Sequence, residues 1–275
     1  MALNSFAHLY EEATIVEARR SVLDILDNHV PKIHSDMSVL DLACGSGTVT
    51  RIIYEQCSAQ NIKPPRVVGV DIGPNFIEAF NENKEVRQWE TAKGYVGDAS
   101  DLHMCSDNEF DLVIMSYALF AVADEVADKV AAEIYRVLKP GGVAAFTVWR
   151  DNFISRMFQE ASTAVGRPEE EIRRFDPGKW SLPETSHNTL VAGGFKSDMV
   201  KHFRHDDTFG ILDKSSLVDR FNTPFWQNVG TMAWAEEQKS RWRAEAEKAI
   251  LKEQQERGPC KRIAGFLSQR SRRLW

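Results

Sequence analysis

"VLDLACGSGTVTRII", residues 39–53, passes from an apolar run to helical spacing within a few residues, and it does so through glycines. Val39 to Leu42 read as a buried strand carrying Asp41 near its end, and Val49, Ile52 and Ile53 recur at helical intervals after it. Gly45 and Gly47 allow the intervening turn to take positive φ and allow a ligand to touch bare backbone. The free N–H groups of the new helix, and the positive end of its dipole, then face whatever lies above the strand. The stretch therefore predicts a nucleotide-type site on a doubly wound α/β sheet, and by itself leaves the nucleotide open.

Outward from this unit, strand and helix patterns alternate. A helix is expected at 12–30, before the first strand (38–43) and its helix (48–60). Strand 66–71 ("RVVGVD") precedes a helix at 74–89 that opens on Pro74. A short strand at 94–97 runs into "GDAS", and strand 110–116 is followed by a helix at 124–137. "LKPGG" (138–142) then turns the chain into strand 143–149. Helix 151–165, a short helix ending at Gly193-Gly194 and strand 197–205 follow. From about 206 to 258 the alternation stops, with helical stretches near 214–222 and 232–256, and a last strand is expected at 260–270. Its arrival after a long insertion predicts a seven-stranded sheet whose last strand is antiparallel. The organisation expected is one domain: an N-terminal helical cover over 1–37, a ligand-binding core over 38–150 and a helical lid over 206–258.

The chain has 275 residues, 43 % of them hydrophobic and 27 % charged, with a formal charge of −6. That acidic balance argues against a nucleic-acid backbone as the main partner. The basic tail (Lys261, Arg262, Arg270, Arg272, Arg273) is the exception, and it reads better as a solvated strand face. No apolar stretch reaches the roughly 20 residues of a membrane span, and no basic-then-apolar signal opens the chain. Cys44, Cys57, Cys105 and Cys260 form no CxxC pair and have no histidine at metal spacing. A cytoplasmic, reduced, metal-free protein, monomeric or weakly dimeric, is the expectation.

Three ligands compete for the glycine turn. A P-loop needs GKS or GKT at the helix start, whereas Thr48 and Val49 follow Gly47, so that reading fails. A dinucleotide site would want a third glycine where Thr50 stands. Asp71, ending the second strand, suits either a dinucleotide or an adenosyl ligand, since both offer ribose hydroxyls to a carboxylate. A bare structural turn is disfavoured because glycines and acid coincide within one βαβ unit.

The ordered set "LDLACGSGT", "VVGVDIG", "GDAS", "FDLVIMSYALF" and "LKPGG" resembles the class I S-adenosylmethionine-dependent methyltransferases over residues 38–150. Any one piece is weak; their order and spacing are specific. The chain departs from the family's fuller glycine pattern at Ala43. The resemblance implies that Asp41 and the backbone at Ala43, Gly45 and Gly47 hold the methionine end of the cofactor, so that a side chain at either glycine would either strain a left-handed backbone or take that space. It likewise implies that Asp71 binds the ribose hydroxyls, Ile72 packs on the adenine, Asp98 accepts from its amino group and Ala99 adds a backbone contact. Ser116 and Tyr117 would lie beside the sulfonium, and Tyr10, in the cover, would close over the methionine; lone packing is an equal reading of that tyrosine.

Methyl transfer from a sulfonium is an in-line displacement, so positioning supplies most of the catalysis. Aromatic faces such as Tyr10, Tyr117 and Phe120 can stabilise the cation, though Phe120 reads equally as core. None of the seven histidines sits in a motif, so no general base is assigned. Six of seven tryptophans and ten of fifteen phenylalanines follow residue 145. Trp149, Phe153, Phe225 and Trp226 are candidates for an apolar pocket that takes a small-molecule acceptor. The competing reading is an aromatic core that holds the insertion together. The "TVW" strand end and "PFWQ…AWAEEQ" also resemble, more loosely and over 146–270, small-molecule methyltransferases of fungal natural-product pathways related to the quinone C-methyltransferases. Thiol and hydroxyl acceptors are favoured. The rival readings are a protein that uses the cofactor to steer a rearrangement, an NAD-linked oxidoreductase, and a methylase of nucleic acid or protein.

Overall fold

The computed structural model describes residues 11, 15, 18–168, 178–208, 214–231, 234–258 and 261–270, with 206–208, 214–216 and 261–270 as backbone alone. Tyr10 lies outside them, and so do the side chains of the basic tail.

Five strands build the parallel part of the sheet: β1 (Ser38–Leu42), β2 (Arg66–Asp71), β3 (Ala92–Val96), β4 (Phe110–Ser116) and β5 (Leu138–Asn152). The ladders β1–β2, β1–β4, β2–β3 and β4–β5 are all parallel. The order is β3-β2-β1-β4-β5, continuing through β7 (Lys261–Arg270) and β6 (Val200–Thr208). The chain reverses direction across the sheet between β1 and β4. Helices α1 (Thr48–Ala59), α2 (Pro74–Val86) and α3 (Ala127–Val137) make the crossovers. β1 has a neighbour on each side, and its apolar residues Val39, Leu40 and Leu42 are buried, which is why it reads as a continuous apolar run.

The expected boundaries shift in three places for identifiable reasons. "LKPGG" does not precede the fifth strand; it bulges out of it. Phe110 pairs with Leu138 and Leu112 with Val143, so 139–142 have no partners in the ladder, and Gly141 takes φ +86° there. The helix expected at 232–256 is broken. After α5 (Pro183–Ala192), the insertion instead carries α6 (Lys214–Phe221), α7 (Pro224–Gly230), a single turn (Glu236–Lys239) and α8 (Trp242–Arg257). Pro224 presets the first turn of α7. The helix before β1 ends in a π turn, Ile25–His29, ahead of Pro31.

The chain divides into two compact units. The first holds the sheet and spans 1–148, 179–205 and 265–275. The second joins 149–178 to 206–264, so α4 (Phe153–Ala164) belongs with the insertion. Its interior is aromatic. Phe158 meets Trp226 and Trp242 with ring centroids 6.1 and 5.4 Å apart, and Phe221 meets Phe153 and Trp226 at 5.5 and 5.3 Å. Arg156 on α4 pairs with Glu253 on α8, which neutralises a carboxylate that is only 10 % exposed.

Candidate functional site

The glycine turn is built by long-range packing as much as by the glycines. Ala43, Gly45 and Gly47 all take positive φ, at +54°, +54° and +96°. Ala43 carries a Cβ there, a conformation that costs an L-residue about 1–2 kcal/mol. Strain of that kind collects at functional loops. At Gly45 an added Cβ would meet only Phe76, at 3.9 Å. At Gly47 it would come within 2.8 Å of Trp89 and 2.9 Å of Phe80. Phe80 also lies where a Cβ on Gly69 or Gly94 would sit, at 2.6 and 2.8 Å. Three glycines from the loop, β2 and β3 thus form one slot for a single buried ring from α2. A side chain at Gly47 would therefore meet the expected left-handed backbone strain and would also intrude on the core.

Asp41 faces inward as well. It is 1 % exposed, and its Oδ2 accepts from the Thr50 N–H at 3.0 Å and the Thr50 hydroxyl at 2.7 Å. It thereby caps a free N–H in the first turn of α1. The resemblance assigns it to the ligand's methionine end; the fold instead gives Oδ2 to bracing the loop. Burial pushes its carboxyl up to about 7; the Thr50 bonds oppose the rise, and the charge of Asp71 adds to it. The ordinary value is 3.8, so between about pH 4 and 7 the folded state holds a proton that the unfolded chain has released. The stability that Asp41 contributes therefore falls as pH rises through that window and levels off above it. Asp41→Asn keeps an oxygen for Thr50 and should flatten the slope. In urea unfolding, the wild type should lose on the order of 2–4 kcal/mol more than the variant between about pH 4.5 and 7.5. Parallel curves would show that another group is responsible.

Asp71 stands at the carboxyl end of β2 and is 9 % exposed. Its Oδ2 accepts from the Gly45 N–H and its Oδ1 from the Gly73 N–H, both at 2.9 Å. One carboxylate therefore joins the glycine loop to the β2–α2 loop and keeps further lone pairs for a ligand. Asp98, beyond β3, accepts from the Ser100 N–H at 2.8 Å. Ser100 holds the Asp98 carboxyl below the usual carboxylate range, so it is charged at neutral pH.

Between these acids lies a cavity of about 330 Å³. Its walls come from the ends of β1 (Leu42, Ala43), β2 (Val70, Asp71, Ile72) and β4 (Met115), with Asp98 and Ala99 from the loop after β3. Its remaining wall is small and apolar, made by Gly97 and by Ala118, Ala121, Val122, Ala123, Val126 and Val130. Ile72 is 71 % exposed, a large apolar side chain left at the rim. All of this sits beyond the carboxyl ends of the strands, at the side of the sheet where the chain reverses, where ligands bind in such folds.

Of the residues expected at the site, Ala43, Asp71, Ile72, Asp98 and Ala99 line the cavity. Gly45 joins it through Asp71. Ser116 and Tyr117 stand next to it on the chain and are tied elsewhere. The Tyr117 N–H donates to Thr147 Oγ1 at 2.7 Å, and the Ser116 and Thr147 hydroxyls lie 3.2 Å apart. Tyr117 is held at φ +53°, so the chain turns sharply as β4 ends. Phe120, in the 3₁₀ turn Leu119–Ala121, packs against the apolar core of the first unit. Trp149, Phe153, Phe225 and Trp226 are buried within the second unit, at 7, 0, 5 and 7 % exposure. Phe153, Phe225 and Trp226 stack on aromatic neighbours as its core, which favours the competing structural reading of these side chains. Sequence reasoning missed Thr147, Glu11 and Asn83. Thr147 is fully buried on β5, and only the β4–β5 register reveals it as the clamp on Ser116 and Tyr117.

Residues 39–142 match a family model described as a methyltransferase domain. This stretch is a methyltransferase domain, and the motifs along it are those that resemble the class I S-adenosylmethionine-dependent family. The enzyme is 27 % identical over 209 residues to the methyltransferase ucsB of Acremonium sp., covering 72 % of this chain and 69 % of that protein. A stretch of 105 residues is 36 % identical to demethylmenaquinone methyltransferase of Symbiobacterium thermophilum, covering 38 % of this chain and 39 % of that one. Among solved structures, the fold is similar to phosphoethanolamine N-methyltransferase 2 of Haemonchus contortus. The TM-score is 0.57 at 16 % identity, covering 98 % of this methyltransferase and 58 % of that chain. Its cofactor is S-adenosylmethionine. The cavity fits that molecule on its own chemistry: an apolar slot for a flat base, bounded by one carboxylate that is already ordered and another held charged.

Proposed function

We propose that this methyltransferase acts on a small, largely apolar metabolite, at a thiol or hydroxyl, in secondary metabolism. The observation that carries the cofactor's placement is the apolar slot bounded by Asp71 and Asp98 beside a glycine loop hydrogen-bonded to Asp71. Bound S-adenosylmethionine supplies an electrophilic methyl group on a sulfonium. Asp71 accepts its ribose hydroxyls, Ile72 and the small apolar wall hold the adenine, and Asp98 accepts from the adenine amino group. Ala43, Gly45 and Gly47 present backbone to the methionine end. Ser116 and Tyr117, fixed by Thr147, orient the mouth of the site. Catalysis is then positioning of the acceptor in line with the methyl group, and a thiolate needs no strong base.

Acceptor choice is assigned to aromatic side chains, with Phe120 in the first unit and Trp149, Phe153, Phe225 and Trp226 in the second as its candidates. The likeness to the methyltransferase ucsB over most of both chains supports methyl transfer as the reaction. The acidic chain supports a neutral or cationic acceptor over nucleic acid. Among the described residues no helix is long and apolar enough to cross a membrane, and a cytoplasmic monomer or weak dimer is the reading taken. We also take the sheet as seven-stranded with β7 antiparallel. Incubation with methyl-labelled S-adenosylmethionine and a panel of thiols, phenols, alcohols and amines tests the proposal. Formation of S-adenosylhomocysteine with label in a thiol or hydroxyl compound is expected. Label found only in RNA or protein, or cofactor bound with no S-adenosylhomocysteine formed with any acceptor, would overturn it.

A further inference from the structure

The side chain of Glu11, in the segment before β1, is buried, at 6 % exposure. Burying a carboxylate is costly unless it is paired and hydrogen-bonded, and this one is saturated. Its Oε2 accepts from the Ser46 hydroxyl and from Asn83 Nδ2, both at 3.0 Å. Its Oε1 accepts from Arg51 Nη1 at 3.1 Å. Ser46 lies between Gly45 and Gly47 and is 2 % exposed. Asn83, on α2, also donates to the Ser46 carbonyl at 3.0 Å. Both ends of the Ser46 residue are thus held by a pair of side chains that Glu11 joins.

A ladder of alternating charge runs outward from the same carboxylate: Glu11 to Arg51, Arg51 to Glu55 at 2.8 Å, and Glu55 to Arg19 on the N-terminal helix. The inner rung is buried and touches the loop. The outer rung, Arg19–Glu55, is half-exposed, and such surface pairs contribute little.

We propose that Glu11 is a positioning residue for the cofactor: through Ser46 and Asn83 it sets the glycine loop in its binding shape, so cofactor affinity depends on the placement of the N-terminal segment. No other side chain accepts from the Ser46 hydroxyl among the described hydrogen bonds. Without Glu11, Asn83 keeps only the carbonyl of Ser46, and the loop keeps the bonds that its N–H groups donate, from Gly45 to the Asp71 carboxylate and from Gly47 to the Cys44 carbonyl, both at 2.9 Å. The loop should then open more often without unfolding the sheet.

This proposal rests on the S-adenosylmethionine site assigned above. Failure of that assignment would appear as absent binding to the wild type, whereas failure of the Glu11 role leaves wild-type binding intact. The test compares Glu11→Ala, Glu11→Gln and Arg19→Ala in the full chain. Calorimetry with S-adenosylhomocysteine and hydrogen exchange of the ligand-free loop amides at Gly45 and Gly47 are the readouts. Glu11→Ala should raise the Kd about tenfold or more and speed loop exchange by a similar factor. Arg19→Ala should leave both within about twofold. Glu11→Gln keeps an oxygen for Ser46 and Asn83 and sets an amide against Arg51, so it should fall between the two and serves if the alanine variant does not fold. Once an acceptor is in hand, the KM for the cofactor should rise in the glutamine variant with kcat unchanged at saturation. A lowered melting temperature with Kd and loop exchange both unchanged would overturn the proposal, leaving Glu11 a purely structural residue.

Discussion

Replacing Gly47 with valine is expected to destabilise the methyltransferase severely before cofactor binding is even at issue. An added Cβ falls 2.8 Å from Trp89 and 2.9 Å from Phe80, rings that are 2 and 0 % exposed. Neither can move aside, since Phe80 is itself wedged against Gly69 and Gly94. Overpacking of this kind costs about 1–3 kcal/mol, and the left-handed φ of +96° adds about 1–2 kcal/mol for an L-residue. The sum is about 2–5 kcal/mol, which in a chain of this size lowers the melting temperature by roughly 5–15 °C. Gly45→Ala is the matched comparison, because its Cβ meets only Phe76 at 3.9 Å and it bears the backbone cost alone. Scanning calorimetry of the ligand-free proteins should separate the two variants clearly. Equal, small shifts would mean that the Phe80 slot is looser than its geometry implies.

Asp71→Ala should weaken S-adenosylmethionine binding by about tenfold to a hundredfold. A carboxylate accepting ribose hydroxyls makes charge-assisted hydrogen bonds of about 1.5–3 kcal/mol each, and part of that is recovered from water in the variant. The variant should also lose stability, because Asp71 accepts from the Gly45 and Gly73 amides as well. Leaving two part-buried donors unpaired costs about 1–3 kcal/mol each at most. Asp71→Asn divides the two roles: its carbonyl can keep one amide bond while the charge is gone. Calorimetric Kd values alongside melting curves make the division visible. An unchanged Kd in Asp71→Ala with a lowered melting temperature would take this residue out of the cofactor site and leave it as the tie between two loops.

Much of the site is written in local sequence. "VLDLACGSGT" and "VVGVDIG" each carry their own strand, turn residues and acid. Apolar periodicity and turn chemistry act over a few residues, so the strands 38–42 and 66–71, the helix opening on Pro74, and the acids Asp71 and Asp98 are legible from the sequence alone. The same locality sets the order of elements and hence the doubly wound sheet with its site at the strands' carboxyl ends. What the sequence alone could not decide is which way each side chain is spent. Asp41 turns inward onto Thr50, Gly47 makes room for Phe80, and Ser116 and Tyr117 answer to Thr147, about thirty residues away. Phe225 and Trp226 follow a proline in a way that suits a pocket wall, yet they pack on each other and on Phe221 and Phe158. Glu11 carries no motif at all, and its partners lie 35 and 72 positions along the chain. Most of these outcomes are fixed by contacts between residues far apart in sequence, where close packing and the cost of burying an unpaired polar group choose among uses that local pattern leaves equivalent.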